Sequence, residues 1–499
     1  MVNAACAVRQ ARRLLLEHDV ILAAGSALLL IHTLGILSAI HAVAGVRTPQ
    51  GAIAWAVSLV TFPYLALPLY WIFGRDRFQG YLDPLRALTL AGADQRVAGL
   101  LRTLASVRAE LPAERAAELD VLAQLGGTPF TSGNVPTLLV DGDATFAAIF
   151  AAIESAARCC LVQFFIVKDD DLGRRLQALL MRKAAAGVRV YLLYDEIGSH
   201  GLPRAYLAPL RAAGVAVSAF HSTHGRRNRF QLNFRNHRKI VVVDGHTAFV
   251  GGHNVGDEYL GRGPLGHWRD THLGLQGPAA QALQLVFAAD WYWATGTSPE
   301  LMWGLAPPPD RPGEAVAAQA VLVYPTGPAD DLDRCSMFFH QAVVGARRRV
   351  WIASPYFVPD AAVFAALQLA ALRGVDVRVL LPEKPDHLLV YLASYAFLAA
   401  ADRTGIQIYR YQDGFTHQKV VLVDDAVSSI GSANLDNRSL RLNFEITAIV
   451  VDRGLAAAVH EMLEEDFRRA RRAGAADLTQ RGWAFRWAVR AARLLDPIL

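Results

Sequence analysis

The stretch His237-Arg238-Lys239-Ile240-Val241-Val242-Val243-Asp244, followed by Gly251-Gly252-His253-Asn254, occurs twice in altered form. The second copy is His417-Gln418-Lys419-Val420-Val421-Leu422-Val423-Asp424, followed by Gly431-Ser432-Ala433-Asn434. In each copy Lys comes two residues after His, Asp five after Lys, and Asn ten after Asp. Lysine is scarce, five residues against 45 arginines, and two of the five hold the same place in the two copies. Each copy is a β-branched run of strand length that ends in a turn signal, Asp244-Gly245 or Asp424-Asp425. Side chains alternate faces along a strand, so His237 shares a face with Lys239, and His417 with Lys419. Asp244 and Asp424 fall on the other face, where they are expected to brace the strand ends.

The repetition extends outward from these phrases. Cys160–Val167 matches Val350–Val358, Gly187–Leu193 matches Gly374–Leu381, and Gly214–Val217 matches Gly405–Ile408. Strands alternating with helices of 10–15 residues predict α/β layers with the sheet covered on both faces. The histidines stand 180 residues apart, about one compact domain. The Pro-rich run Ala306–Gly313 separates the halves. This gives a first repeat over 136–310 and a second over 311–475, meeting across a pseudo-two-fold axis with both His/Lys pairs in one cleft. After each Asn a further strand carries an acid, Asp270 in Trp268–His272 and Glu445 in Leu442–Ile446. These are the candidates for holding the histidines.

Composition adds a membrane. The chain has 499 residues, 53% hydrophobic, with a net charge of +5 and a pI near 9.0. That excess of base suits anionic headgroups or nucleic acid. Residues 20–46 and 48–74 carry no charge, and each stretch exceeds the roughly 20 residues that cross a bilayer. Two spans, about 20–43 and 52–73, form a hairpin within an N-terminal segment 1–74. Pro63 and Pro68 are expected to kink the second span, and Trp55, Tyr70 and Trp71 to sit at the interface. A cleaved signal peptide is too short to explain both stretches. Arg9, Arg12 and Arg13 before the hairpin and Arg75, Arg77 and Arg86 after it outnumber Arg47 in its loop. The bulk of the chain is therefore expected in the cytoplasm. Residues 75–135 read as a linker with one or two helices, with a turn-rich stretch at Thr128–Asn134. The tail 476–499 carries Trp483, Trp487 and Leu494 on one stripe, with Arg486, Arg490 and Arg493 beside it. That suits a helix in the membrane interface or one docked on the domain. Cys6, Cys159, Cys160 and Cys335 form no CxxC pair, and Cys159 and Cys160 read as buried thiols.

Two His, two Lys and two Asn (Asn254, Asn434) facing one cleft suit a phosphodiester. The lysines and asparagines would hold non-bridging oxygens and stabilise a five-coordinate phosphorus. One imidazole attacks and forms a phosphohistidine, while the other protonates the departing alkoxide and deprotonates the acceptor. A carboxylate on the far ring nitrogen fixes the tautomer. Fixed cations fill the role of a metal, and no metal or other cofactor is expected. His253, His267 and His272 read as local hydrogen-bonding residues, and Tyr356 and Phe357 as packing. Arg226, Arg227, Arg229 and Arg235 suit lipid phosphates or a solvated loop equally.

The two phrases resemble the HxKx4D…GxxN motifs of the phospholipase D superfamily. The wider context resembles its bacterial cardiolipin synthases: two N-terminal spans, ASPYFVPD at Ala353–Asp360, WRDTH, and SANLDNRSLRLNFE at Ser432–Glu445. The resemblance covers nearly the whole chain; the linker 75–135 and the tail are its least specific parts. It implies two phospholipase D-like α/β/α sandwich domains on the cytoplasmic side of a bacterial inner membrane. It also implies a catalytic set of His237, Lys239, Asp244, His417, Lys419 and Asp424, with His237 as nucleophile and His417 as acid/base. Ser432 joins Asn254 and Asn434 as a phosphate ligand, and Gly252 replaces that serine in the first half. The implied reaction joins two phosphatidylglycerols into cardiolipin and releases glycerol. A hydrolase using water as acceptor would need the same residues. A superfamily nuclease is disfavoured by the hairpin and by the lack of a long basic, aromatic-interleaved groove, so no nucleic-acid partner is expected. A dead scaffold would lose a His or Lys, and both copies are complete.

Overall fold

The computed structural model describes residues 2–46, 48–74, 77–78, 81, 94–221, 233–305, 319–496 and 499. Arg47, Arg75, Arg86, Arg226, Arg227, Arg229 and the Pro-rich run Ala306–Gly313 lie outside the described residues. The chain forms two compact units, Met1–Gln79 with Thr223–Asn233, and Gly80–Ser222 with Phe234–Leu499.

In the smaller unit the first uncharged stretch lies in a helix, Val2–Gly45, of which Leu16–Gly45 is long and apolar enough to cross a membrane. The second stretch departs from the expected single kinked span. It is two helices, Pro49–Thr61 and Pro63–Phe73, of 13 and 11 residues. The break falls at Phe62, with φ −139° and ψ 60°, because a residue before proline is pushed out of the helical region. Pro68 lies inside the second helix without ending it. At 1.5 Å per residue each helix spans only about 17–20 Å, short of a hydrocarbon core of about 30 Å. The long helix packs closely on both. A Cβ at Gly35 would stand 2.4 Å from the Leu59 carbonyl oxygen, so the approach requires glycine there. Tyr70 is buried in the contact and its hydroxyl lies 2.6 Å from His41 Nδ1.

The larger unit is a duplicated α/β structure. Its first half runs Thr131–Val140, Thr271–Gln276, Thr247–Gly251, Ile240–Val243, Cys159–Phe164, Arg189–Asp195, Ala216–Phe220 in sheet order. The second half repeats that order as Gln319–Thr326, Asn443–Val451, Val427–Gly431, Val420–Val423, Arg349–Ala353, Asp376–Pro382, Gln407–Tyr411, with Ala470–Ala473 added at the edge. The first strands of the halves pair antiparallel, Thr131 opposite Val321, so one 16-stranded sheet runs through both. The stretch read as turn-rich thus opens a strand: Gly133 takes φ 75° where the register shifts between Thr131 and Asn134, and the pairing continues beyond it.

Helices cover the sheet because the strands are buried on both faces. Asp171–Ala185 and Ala361–Leu372 follow equivalent strands, and each is capped by an aspartate, Asp170 or Asp360, accepting from the N–H three residues on. The linker contributes Asp94–Ser106 and Ala116–Gly126, whose Leu119 and Leu122 join the core of the second half. The tail helix Trp483–Arg493 is docked on that half through Val489 and Ala492. Cys159, Cys160 and Cys335 are buried and free, and burial pushes the Cys159 and Cys160 thiols up to about 12.

Candidate active site

Each His-x-Lys phrase enters its strand from the boundary between the halves. Ahead of His237, Arg235–Asn236 pairs in parallel with Asn443 and Phe444 of the second half. Ahead of His417, Phe415–Thr416 pairs in parallel with Trp268 and Arg269 of the first. The His237 N–H donates to the Phe444 carbonyl at 2.9 Å, and the His417 N–H to that of Arg269 at 2.8 Å. Both histidines therefore sit where one half clasps the other.

The same exchange supplies their carboxylates. His237 Nδ1 lies 3.0 and 3.1 Å from the oxygens of Glu445, in the second half. His417 Nδ1 lies 2.7 Å from Oδ2 of Asp270, in the first. Both acids are fully buried. An imidazole that donates Nδ1–H to a carboxylate keeps Nε2 as a lone pair, so each ring offers the substrate the same atom.

Lys239 donates to the carbonyl of His237 at 2.7 Å, and Lys419 likewise to that of His417. Both ammonium groups are buried, and both lose basicity for that reason first, Lys419 to about 8. Burial also drives His237 down to about 4, against the opposing pull of Glu445. Burial lowers His417 too, and the charges of Lys419, Lys239 and His237 add to it. His417 feels Lys239 and His237 across the boundary, and Lys239 feels Lys419, so the two His–Lys sets share one electrostatic neighbourhood. Burial raises Glu445, but His237, Lys239 and the Ser432 hydroxyl more than reverse this and hold it below its usual range. Asp270 is raised by burial. A buried cluster with this balance of charge is suited to a bound anion.

The remaining motif residues are placed differently. Asp244 and Asp424 stand at the far ends of their strands in the left-handed region, with φ 51° and 53°. Asp244 accepts the backbone N–H groups of Ala157, Arg158 and Cys159, each at 2.8 Å. Asp424 accepts those of Arg347, Arg348 and Arg349, and pairs with Arg115. Their carboxylates are engaged by the chain they brace, which separates them from the reacting set the motif implies. Ser432 is engaged as well: its hydroxyl donates to Glu445 Oε2 and accepts from the Ile446 N–H at 3.0 Å. Ser439 donates to Glu445 Oε1 at 2.8 Å. Gly252 explains the asymmetry with the first half, since a Cβ there would meet Asp270 Oδ1 at 2.1 Å. The shorter acid occupies the space that a serine fills beside the longer one. Asn254 spends its amide on the Ile166 N–H and the Tyr259 hydroxyl. Asn434 is buried, and its Oδ1 has no partner among the described residues.

Several contributors carry no motif signal. Phe165 packs on His237 at 4.9 Å between centroids, and its ring faces Lys239 Nζ at 5.3 Å. Trp268 and Tyr259 flank His417 at 5.4 and 5.7 Å. Arg238, the middle residue of the first phrase, pairs with Asp290 at 2.6 Å and donates to the carbonyls of Glu445 and Thr326 across the boundary. Its motif counterpart, Gln418, donates to Asp466 Oδ2 at 2.9 Å, and Arg269, beside Asp270, pairs with the same Asp466 at 2.8 Å across the boundary. The buried Tyr81 hydroxyl donates to Asp290 at 2.6 Å. His253 and His272 pair with each other through Nδ1 at 3.2 Å, and His267 meets Asp141 at 3.0 Å. Arg235 is half-buried, with its value lowered by burial and then by Arg438 to about 10. Tyr356 donates to Asp386 at 2.5 Å and Phe357 is core. Among the described residues no cluster of three His, Cys, Asp or Glu could hold a metal.

A family model described as cardiolipin synthase, PLD-like domain, matches residues 149–291 and 340–469. A second, described as phospholipase D-nuclease N-terminal, matches 33–75. Cardiolipin synthase A of Pseudomonas entomophila is 53% identical over 475 residues, 94% of this chain and 97% of its own. The protein of the same name from Pseudomonas fluorescens is 51% identical over 479 residues, 95% and 98% of the two chains. Among solved structures, phosphatidylserine synthase of Haemophilus influenzae superposes with a TM-score of 0.58 at 15% identity, over 77% of this chain and 100% of that one, a likeness of fold.

Proposed function

The chain belongs to the cardiolipin synthases of the phospholipase D superfamily, a family of phosphatidyltransferases, and we propose that its two exchanged His–carboxylate pairs form phosphohistidine on one side and move protons on the other. His237 Nε2 attacks the phosphorus of one phosphatidylglycerol. The bond to the headgroup glycerol breaks, and His417, which enters this step protonated on Nε2 with the buried Asp270 carboxylate balancing its charge, gives that oxygen its proton. A headgroup hydroxyl of a second phosphatidylglycerol then loses its proton to His417 and attacks the phosphohistidine. The P–N bond breaks, releasing cardiolipin, with glycerol as the other product. Lys239 and Lys419 hold the non-bridging oxygens. Of the two asparagines, Asn434 is the better candidate for that role, since Asn254 is committed elsewhere. The observation that carries this reading is the crossing of carboxylates, Glu445 to His237 and Asp270 to His417, each bonded through Nδ1 at the boundary between the halves.

The order of the histidines follows the family resemblance and is testable. Phosphate-radiolabelled donor is expected to label the wild type covalently and to leave His237→Ala unlabelled. Labelling that survives in His237→Ala and vanishes in His417→Ala reverses the assignment. Purified protein with phosphatidylglycerol alone is expected to yield cardiolipin and glycerol. Phosphatidic acid as main product would instead make water the acceptor. Chelation by EDTA is expected to leave turnover unchanged, and strict metal dependence would contradict the role given to the lysines.

For the membrane we propose a hairpin with both ends cytoplasmic, in which Pro49–Thr61 and Pro63–Phe73 end to end make the return crossing, supported by the apolar helix Leu16–Gly45 and by the bias of arginine outside the loop. Thr48→Cys is expected to react with an impermeant maleimide added outside intact spheroplasts. Reaction only after the membrane is opened would reduce the hairpin to another topology.

A further inference from the structure

The tail helix Trp483–Arg493 has a settled inner face. Val489 and Ala492 are buried, and Phe485 meets Tyr395 with ring centroids 5.2 Å apart. It packs along the helix Leu388–Ser394. A helix docked on one side normally turns polar residues to water on the other. Here Trp483, Trp487 and Leu494 recur at spacings of four and seven and stack opposite Val489 and Ala492. They are 71%, 60% and 82% exposed. Arg486, Arg490 and Arg493 are exposed beside them, and the Arg490 guanidinium lies 5.1 Å from the centroid of Trp487. The neighbouring helix adds Leu388 and Leu389, 63% and 48% exposed. An exposed apolar stripe on a charged rim, with further exposed leucines on the adjoining helix, marks an interaction surface.

We propose that this strip, Trp483, Trp487 and Leu494 with Leu388 and Leu389, rests in the headgroup layer of an anionic bilayer as a membrane contact separate from the N-terminal helices. Charge selects a lipid surface as the occupant: the helix holds three arginines and no acid, and indole rings with flanking arginines suit the interface between headgroup and chain. The place of the strip points the same way. Leu388 directly follows Asp386 and His387, whose charges act on Lys419 and His417. Lipid lying against the strip is therefore held beside the candidate active site. The contact does not depend on which acceptor the enzyme uses.

The test uses the full chain in nanodiscs, with Cys6→Ser leaving Cys159, Cys160 and Cys335, which are buried, and a fluorescent NBD label on Leu494→Cys or, separately, Trp487→Cys. In discs containing phosphatidylglycerol the label is expected to shift to the blue and to be quenched several-fold by nitroxides on the acyl chains. Reversing Arg486, Arg490 and Arg493 to Glu is expected to remove most of that quenching. A label at both positions that stays water-like and unquenched overturns the proposal. Shielding that ignores lipid nitroxides and grows with protein concentration also overturns it, since a second protein then covers the strip. Because the readout is spectroscopic, failure here is distinguishable from failure of the phosphatidyl-transfer reading, which product analysis decides.

Discussion

The most telling single position is Gly252. Its motif counterpart is Ser432, and the difference follows from the length of the neighbouring acid. A methyl group at 252 would stand 2.1 Å from Asp270 Oδ1 and displace the carboxylate that orients His417. Gly252→Ala is therefore expected to cost at least a hundredfold in turnover, on the scale of lost acid–base help, about 10²–10⁴. Ser432→Gly removes one hydrogen bond to a charged group, about 1.5–3 kcal/mol, and is expected to slow turnover by about tenfold to a hundredfold. Steady-state rates on phosphatidylglycerol check the order; a mild Gly252→Ala would mean that Asp270 is not needed where it stands. The acids separate by step. Asp270→Asn is expected still to form phosphohistidine from a donor with a nitrophenol leaving group, which departs without a proton, yet to turn over poorly on phosphatidylglycerol. Glu445→Gln is expected to slow labelling from both donors, and equal behaviour of the two variants would argue against separate roles. The pairing of each histidine with an acid was legible in the sequence, because His, Lys, Asp and Asn repeat at fixed spacing with an acid after each. That each acid serves the opposite half was not, because it depends on the register of Arg235 against Asn443, two residues distant in sequence.

At the scale of elements, two buried ion pairs tie the backbone beside the site to a helix: Arg238 to Asp290 on Pro278–Thr295, and Arg269 to Asp466 on Arg453–Arg468. Each arginine is a neighbour in sequence of a site residue, so each pair is placed to hold the site's backbone. Removing one partner leaves a charge buried without its mate, which costs about 3–5 kcal/mol. Asp290→Ala is expected to lower the unfolding midpoint clearly. Replacing Arg238 and Asp290 together by Met and Leu is expected to recover much of that stability while leaving activity low. Recovery of full activity in the double variant would show that the pair holds the fold alone. No sequence pattern announced these aspartates, because they lie in helices outside both repeated phrases. Pro63 was legible as a disturbance of the second apolar stretch. That it ends a helix, where Pro68 does not, depends on Phe62 leaving the helical region.

For the whole molecule, burial of unprotonated histidine sets the acid limit. His237 is lowered to about 4, and His253 and His272 to about 3, in each case by burial first. Unfolded, each titrates near 6.5, so between that value and its folded one the unfolded chain binds more protons. Stability is then complete above about pH 6.5 and falls as pH drops toward 4. His237 alone accounts for about 3 kcal/mol of this, at 1.36 kcal/mol per unit of pKa. Unfolding midpoints taken from pH 7 to pH 4 are expected to fall, with a shallower slope in His237→Ala; equal slopes would mean the ring is not buried unprotonated. The two-fold layout was readable in advance because repeated strands reveal a repeated fold. The joining of the halves into one sheet was not, since Thr131–Val140 read as partly turn.

The exchange of carboxylates has a further consequence. A lone half would carry an imidazole without its acid and an acid without its imidazole, so it could work only by finding a second half in solution. Fusing both into one chain replaces that search with a tether, and the local concentration of the missing partner no longer falls on dilution. Specific activity is therefore expected to stay constant as the protein is diluted among empty nanodiscs, whereas separately produced halves, mixed at the same amounts, should lose theirs in proportion to the dilution.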